Sequence, residues 1–481
     1  MFEYWPHITV AASLDIVLTA LVIRSAIMTR RDSSAAVAWC LVALLVPLVG
    51  AGLYWIFGYS HLDRPAGKKR SHHLRFMAQH QSIASGAPVA ELAAVTSAQS
   101  WNDLGQMAMK VGAFPVMSGN AVTLFTDTQC AFDSLLEAVS AAKHHVHLEF
   151  FILRDDETGR KLLDLLARQA AAGVEVRLLY DAVGCVHLKR RALRPLIEAG
   201  GKVHAFLPIQ VLRARIQVNL RNHRKLMVVD GRVGFTGGMN IGDEYLGKNA
   251  YFGYWRDTFL RLEGPAVSAL QRVFVEDWDF GYSEPLDGPA YFPHLTQPGD
   301  DRVQIIESGP DQTINANRQM FFAGIVSARE RLWIASPYFV PDDGLIDALR
   351  LAQLRGVDVR ILCLKKPDHY VSFYAGRYYW QDMLAAGVKI FLYRKGMMHS
   401  KVMAVDGQWA IVGSANFDNR SLRLNFEVGC ILHTPQRVAE VEAAFARDLE
   451  DADQLDKNAF ARRPSYARVA ENVCRLVSPI L

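Results

Sequence analysis

Residues 222–240 read NHRKLMVVDGRVGFTGGMN and residues 398–416 read MHSKVMAVDGQWAIVGSAN, one pattern repeated after 176 positions. Laid over each other without a gap, the stretches agree at His223 and His399, Lys225 and Lys401, Asp230 and Asp406, and Asn240 and Asn416, among others. Imidazole is the side chain best poised near neutral pH for both nucleophilic and acid–base work. Residues two apart in a strand point to the same side, so each His-x-Lys aims a base and a cation at one place. Two such pairs around one cavity suit an anion that reacts. One His attacks phosphorus, the other protonates the leaving oxygen, and lysines and amides stabilise charge on the equatorial oxygens. Gly238, Asn240, Ser414 and Asn416 form the expected phosphate-binding edge, since small residues admit backbone N–H groups and Asn adds an amide donor. Asp230 and Asp406 complete the motif as catalytic candidates, although an Asp before Gly between apolar runs reads foremost as a hairpin turn residue. No dense acidic cluster accompanies the histidines, which disfavours metal-assisted hydrolysis.

The elements that must carry these residues are legible on either side. HVHLEFFIL reads as a strand, GRKLLDLLARQAAAG as a helix and VEVRLLYDA as a strand; RLWIASPYFV, DGLIDALRLAQLRG and VDVRILCL repeat that order. Gly173-Val-Glu-Val-Arg and Gly356-Val-Asp-Val-Arg mark matching helix-to-strand junctions, so the duplication extends beyond the motif. Pro285, Pro289, Pro293 and Pro298 cannot sit inside regular elements and set a lobe boundary. The fold class is therefore α/β, two homologous lobes about a pseudo-twofold axis, with like elements facing each other across the interface. We divide the chain into an anchor (1–60), a basic juxtamembrane segment and linker (61–110), a first lobe (111–280), a Pro-rich linker (281–301) and a second lobe (302–481).

At 481 residues, the chain exceeds one ordinary core. A net charge of +4 implies no strong field for nucleic acid. Six scattered cysteines, without a C-x-x-C pair, argue against a disulfide framework or structural zinc. The hydrophobic excess lies at the N-terminus, where Ala35–Gly58 runs 24 residues without a charge and predicts a membrane span. His7–Met28, interrupted by Asp15 and Arg24, predicts a second span. A cleaved signal peptide competes through Ala36-Val-Ala38, but MFEYWP lacks a basic residue. Arg64, Lys68, Lys69, Arg70 and Arg75 outnumber Arg30 and Arg31, so the positive-inside rule favours a cytoplasmic main domain. The same residues suit anionic headgroups or a plain solvated flank.

The paired H-x-K-x4-D-x6-G-[GS]-x-N motifs resemble those of the phospholipase D superfamily. LVPLVGAGLYWIFG, LRNHRK, GGMNIGDEY, SPYFVP, GSANFDNRSLRLNFE and the terminal VSPIL are similar to the bacterial cardiolipin synthase family within it. The resemblance covers nearly the whole chain and implies two phospholipase D-like lobes behind a two-helix anchor, multi-pass in the bacterial inner membrane. It implies a metal-free phosphohistidine enzyme with no cofactor, joining two phosphatidylglycerol molecules into cardiolipin and glycerol. Its partners are phosphatidylglycerol and anionic membrane lipids, not nucleic acid. On this reading His223 is the nucleophile and His399 the general acid and then base, although the near-symmetric copies do not themselves assign these roles. The family also orients each His with a downstream carboxylate, here Asp257 in YWRDT and Glu427 in LNFEV, which fixes the tautomer and stabilises the imidazolium. A hydrolase or a transferase using another alcohol keeps the same site; a nuclease and an inactive membrane scaffold are the other classes.

Three further features stay open in the sequence. Glu149, among aromatic residues in HVHLEFF, either touches the site or meets solvent. His145 and His147 alternate as zinc ligands would, but read first as partly exposed strand residues. Residues 205–221, with Arg213, Arg215 and Arg221 among apolar neighbours, read equally as an interfacial helix and a surface helix.

Overall fold

The computed structural model describes residues 5–29, 33–54, 63–79, 99–208, 219–294 and 296–481. They form two compact units, Met1–Lys69 and Arg70–Leu481.

The first unit holds α1 (Trp5–Thr29), α2 (Ser33–Leu45) and α3 (Pro47–Leu53). Val22, Ala26, Ala43, Ala51 and Tyr54 form its small core, and the Tyr54 hydroxyl lies 2.8 Å from Ser25 Oγ. Among the described residues no helix is long and apolar enough to cross a membrane, so the expected two-span, multi-pass anchor finds no support in these helices. The uncharged run is divided at Val46, whose backbone (φ −138°, ψ 70°) leaves the helical region because a following proline crowds it. The 13 residues of α2 rise only about 20 Å against a hydrocarbon core of about 30 Å.

The helix α4 (Asp63–Gln79) leads from one unit into the other, and α5 (Gln99–Lys110) precedes the first lobe. That lobe contains strands β1 (Met117–Asp127), β2 (His145–Phe150), β3 (Glu175–Asp181), β4 (Lys202–Phe206), β5 (Lys225–Val229), β6 (Val233–Gly237) and β7 (Tyr254–Glu263). They lie in the order β4-β3-β2-β5-β6-β7-β1, parallel between β2, β3 and β4 and antiparallel elsewhere. The second lobe repeats this with β8 (Asp301–Ser308), β9 (Arg331–Ala335), β10 (Asp358–Leu364), β11 (Lys389–Tyr393), β12 (Val402–Val405), β13 (Trp409–Gly413) and β14 (Asn425–Leu432), in the order β11-β10-β9-β12-β13-β14-β8. β1 pairs with β8, so the two sheets join edge to edge.

Helices cover both faces, which is why the central strands KLMVV and VMAV are buried throughout and, Lys225 aside, apolar. In the first lobe these are α6 (Thr128–Ser140), α7 (Glu157–Ala171), α8 (Arg190–Glu198) and α9 (Ala266–Tyr282). Their counterparts are α10 (Ala316–Ser327), α11 (Asp343–Leu354), α12 (Tyr370–Ala386) and, beyond the short α13 (Asn419–Arg423), α14 (Pro435–Glu450). Even the caps repeat: Asp127 and Asn315 start α6 and α10, and Asp156 and Asp342 start α7 and α11, each side chain accepting a backbone N–H. The chain continues through α15 (Lys457–Ala461) and α16 (Ser465–Arg475). The four prolines from 285 to 298 lie between α9 and β8, outside regular elements.

Candidate active site

His223 and His399 sit just before the central strands β5 and β12, in short breaks rather than inside the strands. Each break is pinned by the other lobe. Asn222 pairs with Phe426 and Met398 with Arg256 in two short parallel ladders, while the His223 N–H donates to Phe426 O (2.9 Å) and the His399 N–H to Arg256 O (2.8 Å). The two histidines are therefore delivered to one place by reciprocal contacts, the pattern a twofold relation between lobes produces.

The carboxylates follow the same reciprocity. His223 Nδ1 lies 2.9 Å from Glu427 Oε2, and His399 Nδ1 lies 2.6 Å from Asp257 Oδ2, so each imidazole is held by the carboxylate of the opposite lobe. Burial would raise Glu427, but His223, Lys225 and the Ser414 hydroxyl outweigh it and hold its pKa at about 2. Burial would likewise raise Asp257, yet His399 and Lys401 bring it below the usual carboxylate range. An ionised carboxylate only accepts, so each Nδ1–H donates to it and each Nε2 keeps its lone pair. Burial drives His223 down to about 4 against the pull of Glu427, and lowers His399 as well, so both rings are neutral at pH 7. Aromatic rings wall them in: Phe151 stands 4.7 Å from the His223 ring, Trp255 5.3 Å from that of His399 and Tyr245 6.2 Å.

The lysines fold back on their own motifs. Lys225 Nζ donates to His223 O (2.6 Å) and Lys401 Nζ to His399 O (2.5 Å), both fully enclosed. Burial, the dominant cause, brings Lys225 to about 7 and Lys401 to about 8.

Asp230 and Asp406 stand apart, which corrects their grouping with catalytic residues. Each lies at the far end of its hairpin, beyond a strand that spans some ~15 Å. The Asp230 carboxylate accepts from the N–H groups of Lys143, His144 and His145, and that of Asp406 from Arg329, Glu330 and Arg331. Both have φ 53°. They hold turns and tie them to the next strand, the role an Asp-Gly turn suggests.

Of the expected phosphate-binding edge, Gly238 and Ser414 back the carboxylates. A Cβ on Gly238 would lie 2.1 Å from Asp257 Oδ1, while Ser414 Oγ donates to Glu427 Oε2 at 2.5 Å. Asn240 Oδ1 accepts from the Ile152 N–H (3.1 Å); Asn416 keeps a buried, unpartnered Oδ1.

Glu149 is buried beneath the site, bonded by Asn222 Nδ2, and burial with Asp277 nearby raises its pKa far above the usual range. Arg224, between His223 and Lys225, is ion-paired to Asp277 and to Glu307 (3.4 Å). His145 and His147 are fully buried, not partly exposed, packed with Tyr291 and Phe274, and His147 Nδ1 meets Gln271 Oε1 at 3.2 Å. Among the described residues, His73, Glu276 and Glu307 could gather round a cation, but His73 Nδ1 already lies 2.9 Å from Glu276 Oε2 and Glu307 is paired to Arg224. Arg213 and Arg215 lie outside the described residues, whereas Arg221 is buried 3.7 Å from Asp181. Phe151, Trp255, Tyr245 and Arg224 were not singled out from sequence; only adjacency to the motif strands and to Asp257 pointed to them.

Two repeated α/β lobes, each holding the other's motif histidine with a carboxylate, define a phospholipase D-like protein. A phosphatidylserine synthase from Haemophilus influenzae Rd KW20 has the same fold, with TM-score 0.62 and 17% identity over 79% of this chain and 100% of its own. The family model described as cardiolipin synthase, PLD-like domain, matches residues 135–278 and 322–449, and one described as phospholipase D-nuclease N-terminal matches 14–58. A cardiolipin synthase of Geobacillus sp. (strain WCH70) is 39% identical, covering 100% of this chain and 96% of its own, and one of Geobacillus kaustophilus (strain HTA426) is 40% identical over 98% and 93%. The chain belongs to the cardiolipin synthase family of phospholipase D-like proteins.

Proposed function

We propose that this protein is a cardiolipin synthase, a phosphatidyltransferase that joins two phosphatidylglycerol molecules into cardiolipin and glycerol. The observation that carries the mechanism is the crossed pairing, His223 with Glu427 and His399 with Asp257. His223 Nε2 attacks the phosphorus of the first phosphatidylglycerol, and the P–O bond to its headgroup glycerol breaks. His399, protonated at Nε2 once the anionic phosphodiester is bound beside it, gives that proton to the leaving oxygen, so glycerol departs and a phosphatidyl-histidine remains. A headgroup hydroxyl of the second phosphatidylglycerol then loses its proton to His399 and attacks the same phosphorus. The P–N bond breaks, and His223 is regenerated with cardiolipin as product. Glu427 and Asp257 stabilise the positive ring that each step creates. The Lys225 and Lys401 ammonium groups offset charge on the phosphoryl oxygens.

Membrane association belongs to the same reading. Ile16, Leu21, Met28, Leu41, Leu45 and Leu48 of the first unit point outward although apolar, an arrangement that a lipid surround satisfies. Exposed Lys68, Arg70 and Arg75 suit anionic headgroups of the bacterial inner membrane. Tethering confines enzyme and both substrates to one surface and raises their effective concentration.

The test is to incubate membrane-reconstituted protein with phosphatidylglycerol and a chelator and to resolve lipid products and glycerol. Cardiolipin and glycerol should form in equal amounts, and His223→Ala and His399→Ala should each lower the rate by roughly 10³-fold or more. Phosphatidic acid in place of cardiolipin would make the protein a hydrolase.

A further inference from the structure

The C-terminal helix α16 presents two opposite characters. Its inner side carries Glu471, 1% exposed, whose carboxylate is clamped by Arg377 (2.8 Å) and Arg463 (2.7 Å), so the helix is fastened to the second lobe in one orientation. Tyr466, Val469, Val473 and Leu476 recur at intervals of three and four and so share one stripe. They are 76%, 61%, 58% and 73% exposed, a pattern opposite to that of a helix folded onto a core. Arg468 and Arg475 are exposed on the adjoining side, Arg468 donating to Ala461 O and Arg475 lying 4.5 Å from the centre of the Tyr378 ring, contacts that leave both guanidinium groups without a carboxylate, and the only acidic residue of the helix is the clamped Glu471. An outward surface that is apolar along one stripe, cationic beside it and free of negative charge complements a layer of anionic lipid headgroups over acyl chains.

The position of this surface connects it to the chemistry. Directly after α16, Ser478 O accepts from Asn419 Nδ2 (3.3 Å) and Leu481 O from the Arg420 N–H (2.6 Å). Both partners lie on α13, whose cap Asp418 stands two residues beyond Asn416 of the second motif.

We propose that the outer stripe of α16 is a lipid-contact surface that seats the catalytic lobes on anionic phospholipid, with Tyr466, Val469, Val473 and Leu476 among the acyl chains and Arg468 and Arg475 at the phosphates. The proposal rests on the phosphatidyltransferase reading and names the surface through which bilayer substrate is presented.

The full-length protein is assayed on vesicles of phosphatidylglycerol and, separately, on short-chain phosphatidylglycerol kept below its micelle concentration. In a Val469→Asp/Val473→Asp variant the ratio of the vesicle rate to the monomer rate falls about tenfold or more, while Val469→Leu/Val473→Leu retains it. In Arg468→Gln/Arg475→Gln the vesicle rate is already lower at low salt and falls less steeply than in the unmodified protein as zwitterionic lipid or salt is added, because fewer charges remain to be screened. A ratio unchanged in the Asp variant overturns the proposal, and a simultaneous change from dimer to monomer would assign the stripe to a second copy instead. Because each variant is judged on a ratio, a folding defect, which lowers both rates together, does not imitate the result. Unmodified protein that converts neither substrate refutes the functional reading before any variant is compared.

Discussion

At the scale of single residues, the site is a pair of imidazoles whose Nδ1 atoms are committed to carboxylates and whose Nε2 atoms remain basic. Burial keeps both rings neutral, and the carboxylates stay ionised because the rings and lysines outweigh their desolvation. Such a pair is sensitive to carboxylate position. Gly238 leaves room for Asp257, and a methyl group there would overlap Oδ1. Gly238→Ala should displace Asp257 from His399 and lower kcat by about 10²-fold or more with little change in KM, as loss of an orienting carboxylate does. Steady-state kinetics on vesicles checks this, and KM rising in proportion would mean that Gly238 serves substrate binding.

At the scale of elements, each motif is a hairpin with chemistry at one end and anchorage at the other. Asp406 gathers the N–H groups of Arg329, Glu330 and Arg331, fixing the β12–β13 turn to the start of β9, and Asp230 does the same for β2. Asp406→Ala leaves those donors without their acceptor and places alanine at φ 53°. It should cost about 2–4 kcal/mol of stability, read by denaturant titration, with activity per folded molecule largely kept. Asp406→Asn, which tolerates that backbone and retains an acceptor oxygen, should cost less. Activity lost without a change in stability would return Asp406 to the catalytic group.

At the scale of the whole molecule, the two lobes bury four cationic or potentially cationic groups, His223, Lys225, His399 and Lys401. That burial holds Lys225 near 7 and Lys401 near 8, far below an exposed lysine. A bound anion favours the charged ammonium and raises both values, so binding takes up protons wherever the empty-site lysines are partly neutral. Affinity for tungstate, as a phosphate mimic, should be greatest below about pH 7 and weaken as pH rises through 7 to 8. Calorimetry in two buffers of different ionisation enthalpy should record net proton uptake near pH 8. Proton release, or affinity constant across that range, would mean that the lysines are fully charged in the empty site.

The chain by itself determined the repeated His-x-Lys hairpins, the matching strand and helix order of the two lobes and the family. All of these are written in local periodicity or in the likeness of one half to the other. Asp257 and Glu427 were also legible as carboxylates, but not the histidine each serves, because those contacts join residues 142 and 204 positions apart. Only the docking of the lobes decided that the pairs cross between halves. The turn position of Asp230 and Asp406 was legible as well, from Asp-Gly between apolar runs, while tertiary structure decided which strand each carboxylate ties down. It decided the lowered lysines, whose desolvation depends on everything packed around them, and the outward apolar stripe of α16, whose inner side is chosen by the Glu471 clamp. The N-terminal run marks the limit from the other direction: hydropathy counts residues, while the helix is divided at Val46 because Pro47 crowds the backbone before it.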